Sequence, residues 1–216
     1  YFKIIFLLFI TMCGAQWFTL NHDSITRNYY ISYPSVSDNS NPPALIINMH
    51  GYGGNAQSQR TSSEMDLFAH ARNIAVVYPQ GEVNGWGFTS WNIGTFWDQS
   101  NLDDVGFISL MIEQISNDFE IDLDRVYACG MSNGGYMAYE LACELEDKIA
   151  AFGSVTGNFM LNVSSGQICE FTREVPIIHF HGTADSTVDY YPPTFDQALA
   201  ISESIDFWSE YNDLNL

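Results

Sequence analysis

Short apolar runs alternate along the chain with segments whose apolar residues recur at helical spacing, which is typical of a mostly parallel sheet covered by helices. The pattern therefore predicts an α/β fold. Strands are predicted at residues 28–33, 44–49, 74–78, 125–129, 150–155 and 175–180. Helices are predicted at residues 63–72, 103–119, 134–144 and 197–208. Because no repeat or linker interrupts this order, residues 16–216 are expected to form one domain.

Two of the predicted helices carry start signals. Ser63 and Asp66 have the spacing of a capping box, which predicts that a helix begins at Ser63. Asp103 and Asp104 place negative charge at the positive end of the next helix. The stretch 81–101 is rich in Gly, Asn and Trp, and we expect it to form an ordered surface loop.

The first fifteen residues resemble a signal peptide. Lys3 precedes an apolar run at 4–10, which is shorter than the ~20 residues that a membrane span requires. The small residues Cys13 to Ala15 predict cleavage after Ala15 and a secreted, extracellular protein. Since the chain does not begin with Met, we expect the signal peptide to be incomplete at its start.

The charge balance narrows the classes of partner. The chain carries 26 acidic and 7 basic residues, a formal net charge of −19. Nucleic acids and anionic membranes would be repelled, so we expect a neutral substrate or one presented as a solid. The spacing of the cysteines does not suggest a metal site, and nothing in the sequence points to a cofactor or to oligomerisation. We therefore expect a monomer without cofactor or metal.

The strongest chemical motif lies between a predicted strand and a predicted helix. Residues 130–134 fit G-x-S-x-G, in which a sharp turn exposes a serine hydroxyl at the edge of an α/β sheet. Glycines are needed on both sides because a Cβ would collide with neighbouring backbone. The motif predicts that Ser132 is a nucleophile. The alternative is a glycine-rich turn with a solvated serine.

An acyl-transfer serine needs fixed donors for the developing oxyanion, and backbone N–H groups serve well. The candidates are the N–H groups of Asn133, directly after the nucleophile, and of Tyr52, in the glycine-rich loop 50–54. His50 in this loop could act as a base or be a packed residue, and we favour packing.

A triad also needs an acid after a later strand. Asp185 occupies that position, because it follows the second predicted strand beyond the nucleophile strand. Asp189 lies four residues further on and is the competing candidate. We prefer Asp185 for the role.

Together these segments resemble the polyhydroxybutyrate depolymerase and feruloyl esterase family over roughly residues 27–208. The resemblance rests on Tyr78-Pro79-Gln80-Gly81, Trp91-Asn92, Asp103-Asp104-Val105-Gly106-Phe107, Gly130-Met131-Ser132-Asn133-Gly134-Gly135, Leu141-Ala142-Cys143 and His181-Gly182-Thr183-Ala184-Asp185. It implies an α/β-hydrolase fold, an exported serine esterase with Ser132 as nucleophile and Asp185 as acid, and a disulfide between Cys143 and Cys169. Cys129, at the end of an apolar run, is expected to be a small buried residue.

The catalytic base is missing from its expected position. In the family the triad histidine follows the acid, but the five histidines all precede Asp185. They are His22, His50, His70, His179 and His181. We expect a C-terminal truncation that removes the last strand, the histidine loop and a closing helix, and that leaves this fragment nearly inactive. Substitution of the base by His181 or His179 remains an alternative.

Three tryptophans in and beside the 81–101 loop are candidates for substrate binding. They are Trp86, Trp91 and Trp97, although packing is favoured for Trp91. The polymeric ester could be a polyhydroxyalkanoate or a feruloyl or acetyl ester of plant polysaccharide, and the sequence does not separate them. The competing hypotheses are an inactive polymer-binding domain on the same fold and a peptidase or dienelactone-type hydrolase.

Overall fold

The computed structural model describes residues 16–35, 40–94, 102–160, 172–191, 193 and 198–213. The predicted signal peptide, Trp97 and Cys169 lie outside the described residues. Among the helices in the described ranges, none has the length and apolar character that a membrane span requires.

The described residues form a seven-stranded sheet that is parallel except at one edge. Its strands, in spatial order, are β1 (Gln16–His22), β2 (Ile25–Ser32), β4 (Ile74–Pro79), β3 (Ala44–Met49), β7 (Val126–Met131), β8 (Ala151–Val155) and β9 (Ile177–Phe180). The first two strands are antiparallel to their neighbours, and the other five run parallel. Strand β3 is buried along almost its whole length, as expected for a central parallel strand covered on both faces.

Five α-helices, a short 3₁₀ helix (Leu123–Arg125) and a separate hairpin complete the described structure. The helices are α1 (Ala56–Ser63), α2 (Met65–His70), α3 (Asp104–Asp118), α4 (Asn133–Glu144) and α5 (Ile201–Tyr211). The hairpin pairs β5 (Glu82–Val83) with β6 (Thr89–Ser90) inside the segment predicted as a surface loop. The predicted α/β class is confirmed, and the strand that carries the G-x-S-x-G motif lies near the centre of the sheet.

The predicted helix at 63–72 contains α2, but its predicted start at Ser63 is wrong. Ser63 is the last residue of α1, and Glu64 in a left-handed conformation (φ 47°) separates it from α2. The capping box lies instead at Asn55, whose Oδ1 accepts a hydrogen bond from the N–H of Ser58 while the Ser58 Oγ accepts from the N–H of Asn55. Helix α1 begins after Asn55 because both reciprocal hydrogen bonds of a capping box form there.

Strand β1 was not predicted either. Its side chains alternate between more and less exposed positions, so it lacks the continuous apolar run of the inner strands. It pairs with β2 through a two-residue turn in which Asp23 and Ser24 have φ values of 50° and 66°. Such left-handed residues suit a tight hairpin, and the pairing places β1 at the edge of the sheet.

A buried ion pair joins β2 to the start of α3. The Nη2 of Arg27 lies 2.6 Å from the Oδ1 of Asp104, and both side chains are 1% exposed. The guanidinium lies 4.0 Å from the centre of the Phe107 ring, and the Asp104 Oδ2 accepts a 2.7 Å hydrogen bond from the N–H of Asn92. Asp104 therefore does more than complement the helix dipole, because it fixes the loop before α3 to the sheet.

Loss of the Arg27 guanidinium should be costly. In Arg27→Met the Asp104 carboxylate stays buried without its counter-ion, so we expect the free energy of unfolding to fall by about 3 to 5 kcal/mol. The control is Lys148→Met, which breaks an ion pair with Glu113, a carboxylate 59% exposed; we expect a loss of about 1 kcal/mol or less. Urea unfolding followed by circular dichroism measures both. Equal losses would contradict an anchoring role for Arg27.

Candidate active site

Ser132 occupies a strained turn between β7 and α4. Its φ and ψ are 53° and −121°, a backbone conformation that residues other than glycine rarely adopt. It is the N-cap residue of α4, yet its side chain makes no capping hydrogen bond. The residue is partly exposed and follows the carboxyl end of β7. This is the geometry that the G-x-S-x-G motif predicts for a nucleophile.

Close backbone contacts explain the glycines around this serine. A Cβ on Gly130 would lie 2.3 Å from the carbonyl oxygen of Gly134, and a Cβ on Gly134 would lie 2.3 Å from that of Met49. Gly51 approaches the serine from the other side, since its Cβ would lie 3.4 Å from the Cβ of Ser132. The turn and the loop after β3 therefore meet backbone to backbone, with no room for side chains.

Asn133 lies at the start of α4, and its side chain is buried. It is the first residue of α4, where backbone N–H groups have no acceptor within the helix, so its N–H suits the predicted oxyanion role. Its Oδ1 accepts a 2.7 Å hydrogen bond from the Trp91 N–H, and its Nδ2 donates to the Trp91 carbonyl at 3.2 Å. This double contact holds the start of α4 in place.

His50 is buried at 1% exposure, and both ring nitrogens are occupied. The Nε2 accepts a 3.0 Å hydrogen bond from the N–H of Gly81, so this nitrogen carries no proton. The Nδ1 then donates to the carbonyl of Gly51 at 2.8 Å. Burial lowers the pKa of His50, which keeps the ring neutral. These contacts agree with the packing interpretation, and they shape the loop that carries Tyr52.

Trp91 does not face substrate, so its assignment as a binding residue is wrong. The side chain is completely buried, and its Nε1 donates a 2.9 Å hydrogen bond to the carbonyl of His50. A ring in this position supports the loop after β3. The alternative favoured from the sequence, local packing, describes it correctly.

Exposed aromatic rings lie instead around the β5–β6 hairpin. Trp86 is 53% exposed, Phe88 is 51% exposed, and the Tyr52 ring lies 5.4 Å from the Phe88 ring. Asn84 organises this group, because its Oδ1 accepts from the N–H groups of Trp86 and Phe88 and its Nδ2 donates to the Tyr52 hydroxyl. The sequence analysis missed Asn84, since an asparagine in a turn carries no signal for such a role. The structure thus presents a rigid aromatic surface beside the candidate oxyanion loop.

Asp185 lies in the loop after β9, at the same edge of the sheet as Ser132. Its Oδ1 accepts hydrogen bonds from the N–H groups of Val188 at 3.0 Å and Thr187 at 2.9 Å. These hydrogen bonds hold the pKa of Asp185 below its ordinary value, so the carboxylate is charged at neutral pH. Burial raises the pKa of Tyr136, in α4, and the negative charge of Asp185 makes a smaller contribution in the same direction.

No histidine among the described residues hydrogen-bonds Ser132. His22 pairs with Asp103 at 3.0 Å, and His70 contacts Ser32 at 3.2 Å. The ring nitrogens of His50, His179 and His181 are engaged with other partners. In the described structure, each of the five histidines is thus in contact with groups other than the Ser132 hydroxyl.

One group of side chains has the proximity that a metal ion requires. His22, Asp23 and Asp103 each place a ligand atom within 4.8 Å of the others. Both carboxylates are at least half exposed, and the hydrogen bond between His22 and Asp103 already accounts for the arrangement. The group lies where the β1–β2 turn meets the start of α3, and we assign it no role in the chemistry of Ser132.

Comparison with protein-family models matches residues 33–200, more than half of the chain, to a family described as phospholipase/carboxylesterase. The chain belongs to this carboxylesterase family. The match includes both the Ser132 turn and the Asp185 loop.

Two curated relatives of this carboxylesterase family member are named as esterases. A bifunctional acetylxylan esterase/xylanase of Neocallimastix patriciarum is 30% identical over 164 residues, 76% of this chain and 22% of that protein. Feruloyl esterase B of Piromyces equi is 30% identical over 164 residues, 76% of this chain and 30% of that protein. The chain thus spans less than a third of the length of either relative. The predicted resemblance to feruloyl esterases is confirmed.

Solved structures assign the fold of this family member. A thermostable esterase has a TM-score of 0.68 at 18% identity, over 92% of this chain and 52% of that chain. An acetyl xylan esterase from Aspergillus awamori has a TM-score of 0.57 at 18% identity, over 68% of this chain and 53% of that chain. The chain has the α/β-hydrolase fold, as predicted.

The glycine of the serine turn should tolerate no side chain. In Gly134→Ala the new Cβ meets the Met49 carbonyl oxygen at 2.3 Å, so backbone must shift, and we expect a loss of about 1 to 3 kcal/mol in unfolding free energy. Gly182→Ala is the control, because its Cβ comes no closer than 3.9 Å to the N atom of Asp185; we expect a change within about 0.5 kcal/mol. Chemical denaturation measures both, and an undisturbed Gly134→Ala would refute the close approach.

Proposed function

We propose that this chain is the hydrolase domain of an exported serine esterase that cleaves carboxylic esters of a polymer. The observation that carries the proposal is the left-handed Ser132, with a hydroxyl that no capping bond occupies, at the carboxyl edge of a parallel sheet. A strained serine at this point of an α/β-hydrolase is placed for attack on a carbonyl carbon. The names of the curated relatives, feruloyl esterase and acetylxylan esterase, support the ester as the bond that is cleaved.

The proposed reaction proceeds through an acyl-enzyme. The Ser132 oxygen bonds to the ester carbonyl carbon while its proton passes to a base, and the carbonyl oxygen becomes an oxyanion. The N–H groups of Asn133 and Tyr52 donate to that oxyanion. Collapse expels the alcohol, which takes the proton, and water then releases the carboxylic acid and restores the serine.

Asp185 is the proposed acid of the triad. Two backbone N–H groups fix its carboxylate and favour the charged form that must orient and stabilise an imidazolium. The base is a histidine imidazole that none of the five histidines supplies, so we propose that the 216-residue chain alone is nearly inactive.

The substrate is proposed to be a neutral polymer that meets the aromatic surface. Trp86 is the proposed substrate-binding residue, and Phe88 shares its exposure on the same hairpin. The formal charge of −19 disfavours anionic polymers. Secretion, the signal peptide at 1–15 and the disulfide between Cys143 and Cys169 belong to the same proposal, since an exported enzyme meets an insoluble or large polymer outside the cell.

Free imidazole should partly restore the missing base. Without it, the chain should hydrolyse p-nitrophenyl acetate roughly 10⁴-fold or more below ordinary esterases, as triad deletions do. Bound imidazole can accept the Ser132 proton in place of a histidine side chain, so we expect a component of the rate that saturates with imidazole concentration. The measurement is the initial rate of nitrophenolate release.

Two variants distinguish this component from the reaction of imidazole in solution. Ser132→Ala should abolish the saturable part and leave only a rate linear in imidazole. Asp185→Asn should weaken it, because the neutral amide cannot stabilise an imidazolium. A saturable component that survives in Ser132→Ala, or its absence from the unaltered chain, would contradict a serine esterase.

A second candidate function is a non-catalytic polymer-binding domain. The exposed rings of Trp86 and Phe88, together with a serine that no histidine contacts, favour it. This domain would bind soluble xylan through the aromatic surface in affinity electrophoresis and would show no imidazole-dependent turnover. The esterase proposal predicts both binding and turnover.

A further inference from the structure

A chain of three side chains runs from the helix of the nucleophile to the loop of the proposed acid. The hydroxyl of Tyr139, in α4, lies 2.8 Å from the Nδ1 of His179, in β9. The Nε2 of His179 lies 3.3 Å from the Nδ1 of His181, and the Nε2 of His181 lies 2.8 Å from the carbonyl oxygen of Val188. We call these residues, Tyr139, His179 and His181, the histidine chain.

The far end of the chain fixes the direction of every hydrogen bond in it. The Val188 carbonyl can only accept, so the Nε2 of His181 must carry a proton and donate. In a neutral ring the Nδ1 of His181 is then bare and accepts from the Nε2–H of His179. The Nδ1 of His179 is bare in turn and accepts the Tyr139 hydroxyl proton. With both rings neutral, only this set of tautomers satisfies all three contacts.

Two of the three side chains in the histidine chain are almost fully buried, and His179 is partly buried. The Tyr139 ring is 1% exposed and the His181 side chain is 1% exposed. The two imidazole rings are stacked at 5.4 Å with an angle of 3° between their planes, and the Tyr190 ring meets His181 edge-on at 5.9 Å. Such packing leaves the rings little freedom to rotate, so the hydrogen bonds define one arrangement.

The chain ends on the residue that holds the acid. Val188 accepts from His181 through its carbonyl and donates to the Oδ1 of Asp185 through its N–H. The His181 Nε2 also lies 3.8 Å from the Oδ2 of Asp185. The His181 ring and the Asp185 carboxylate are therefore hydrogen-bonded to the two peptide groups that flank the Cα of Val188.

We propose that the histidine chain is a positioning device, which fixes the Asp185 carboxylate relative to the helix that begins at Ser132. Tyr139 lies seven residues beyond Ser132 in the sequence, about two helical turns along α4. Neither histidine touches the reacting atoms, so both act through Val188 and Asp185. This inference rests on the proposed role of Asp185 as the acid.

Stability should reflect the neutral state of His179. Burial, with a smaller contribution from the neighbouring His181, lowers the pKa of His179 to about 4. Tyr139 faces it from α4, and Asp185 lies beyond His181. In the unfolded chain His179 takes up a proton near pH 6.5, whereas in the folded protein it does so only near pH 4. The contribution of the neutral His179 to the free energy of unfolding is therefore complete above pH 6.5 and is lost as the pH falls towards 4. The stability difference between the unaltered protein and His179→Gln should therefore shrink between pH 7 and 5 in urea titrations.

The first test is the tautomers of the unaltered protein. Long-range ¹H–¹⁵N spectra of the histidine side chains at pH 7 should give neutral rings with the proton on Nε2 for both His179 and His181. A proton on Nδ1 of His179, or an Nε2 of His181 that carries no proton, would overturn the proposal. This measurement needs no variant and no activity.

The second test uses a matched pair of variants at position 181. His181→Gln keeps a donor that can reach the Val188 carbonyl, whereas His181→Leu removes it with similar bulk. The pKa of Asp185, followed by its carboxyl ¹³C shift, should rise towards 3.8 in His181→Leu and stay depressed in His181→Gln. Both variants lack an imidazole, so a rise in both would mean that charge, not positioning, sets the pKa and would overturn the proposal. His70→Leu is a control that should leave Asp185 unchanged.

The imidazole assay links positioning to catalysis. In His181→Leu the half-saturating imidazole concentration should rise about fivefold, the effect of one lost hydrogen bond, and His181→Gln should stay near the unaltered protein. Equal values for the two variants would overturn the positioning role. Absence of saturation in the unaltered protein would instead count against the esterase proposal, while the tautomers and the Asp185 pKa would still decide the role of the histidine chain.

Discussion

The close approach of two backbone segments at the carboxyl ends of β3 and β7 is the constraint on which the rest of the structure depends. The Ser132 turn meets the end of β3 and the loop after it at Gly134, where a Cβ would lie 2.3 Å from the Met49 carbonyl oxygen, and at Gly51, where a Cβ would lie 3.3 Å from the Met131 carbonyl oxygen. Within the turn, a Cβ on Gly130 would lie 2.3 Å from the Gly134 carbonyl oxygen. In this turn the serine has a left-handed φ, and its side chain makes no capping hydrogen bond. The close approach also places the loop of Tyr52 beside the serine, so the candidate nucleophile lies next to its candidate oxyanion donors.

Buried polar contacts keep the surrounding loops in register with this turn. Asn133 holds the Trp91 backbone, Trp91 holds the His50 carbonyl, and His50 accepts from the N–H of Gly81. The Arg27–Asp104 pair then ties the next part of the same segment to the sheet through Asn92. These hydrogen bonds and the ion pair hold the loops without a metal or a disulfide among the contacts. Gly81, Trp91, Asn92, Asp104 and Asn133 take part in these contacts, and all five belong to the segments that carried the family resemblance. Motifs distant from Ser132 in the sequence therefore help to hold the loops around it.

The sequence predicted the central strands well because continuous apolar runs such as 44–49 are buried on both faces and have few alternatives. It predicted the helix after the serine for a similar reason, since the glycines leave one possible turn. It failed at β1, whose alternating pattern is weak, and at the first helix, where Asn55 offered a better cap than Ser63. Trp91 and Asn84 show a second kind of limit. Whether an aromatic ring faces solvent, or an asparagine organises a hairpin, depends on contacts across the chain that local spacing does not encode.

The central claim is that the Ser132 oxygen is a nucleophile. Mass spectrometry of the peptide adduct formed by a fluorophosphonate in the presence of imidazole tests it most directly, because the reagent bonds to an activated serine oxygen. The account predicts a single adduct on Ser132, formed faster with imidazole than without it. An adduct spread over other serines, or an unmodified Ser132 after the same treatment, would contradict the account.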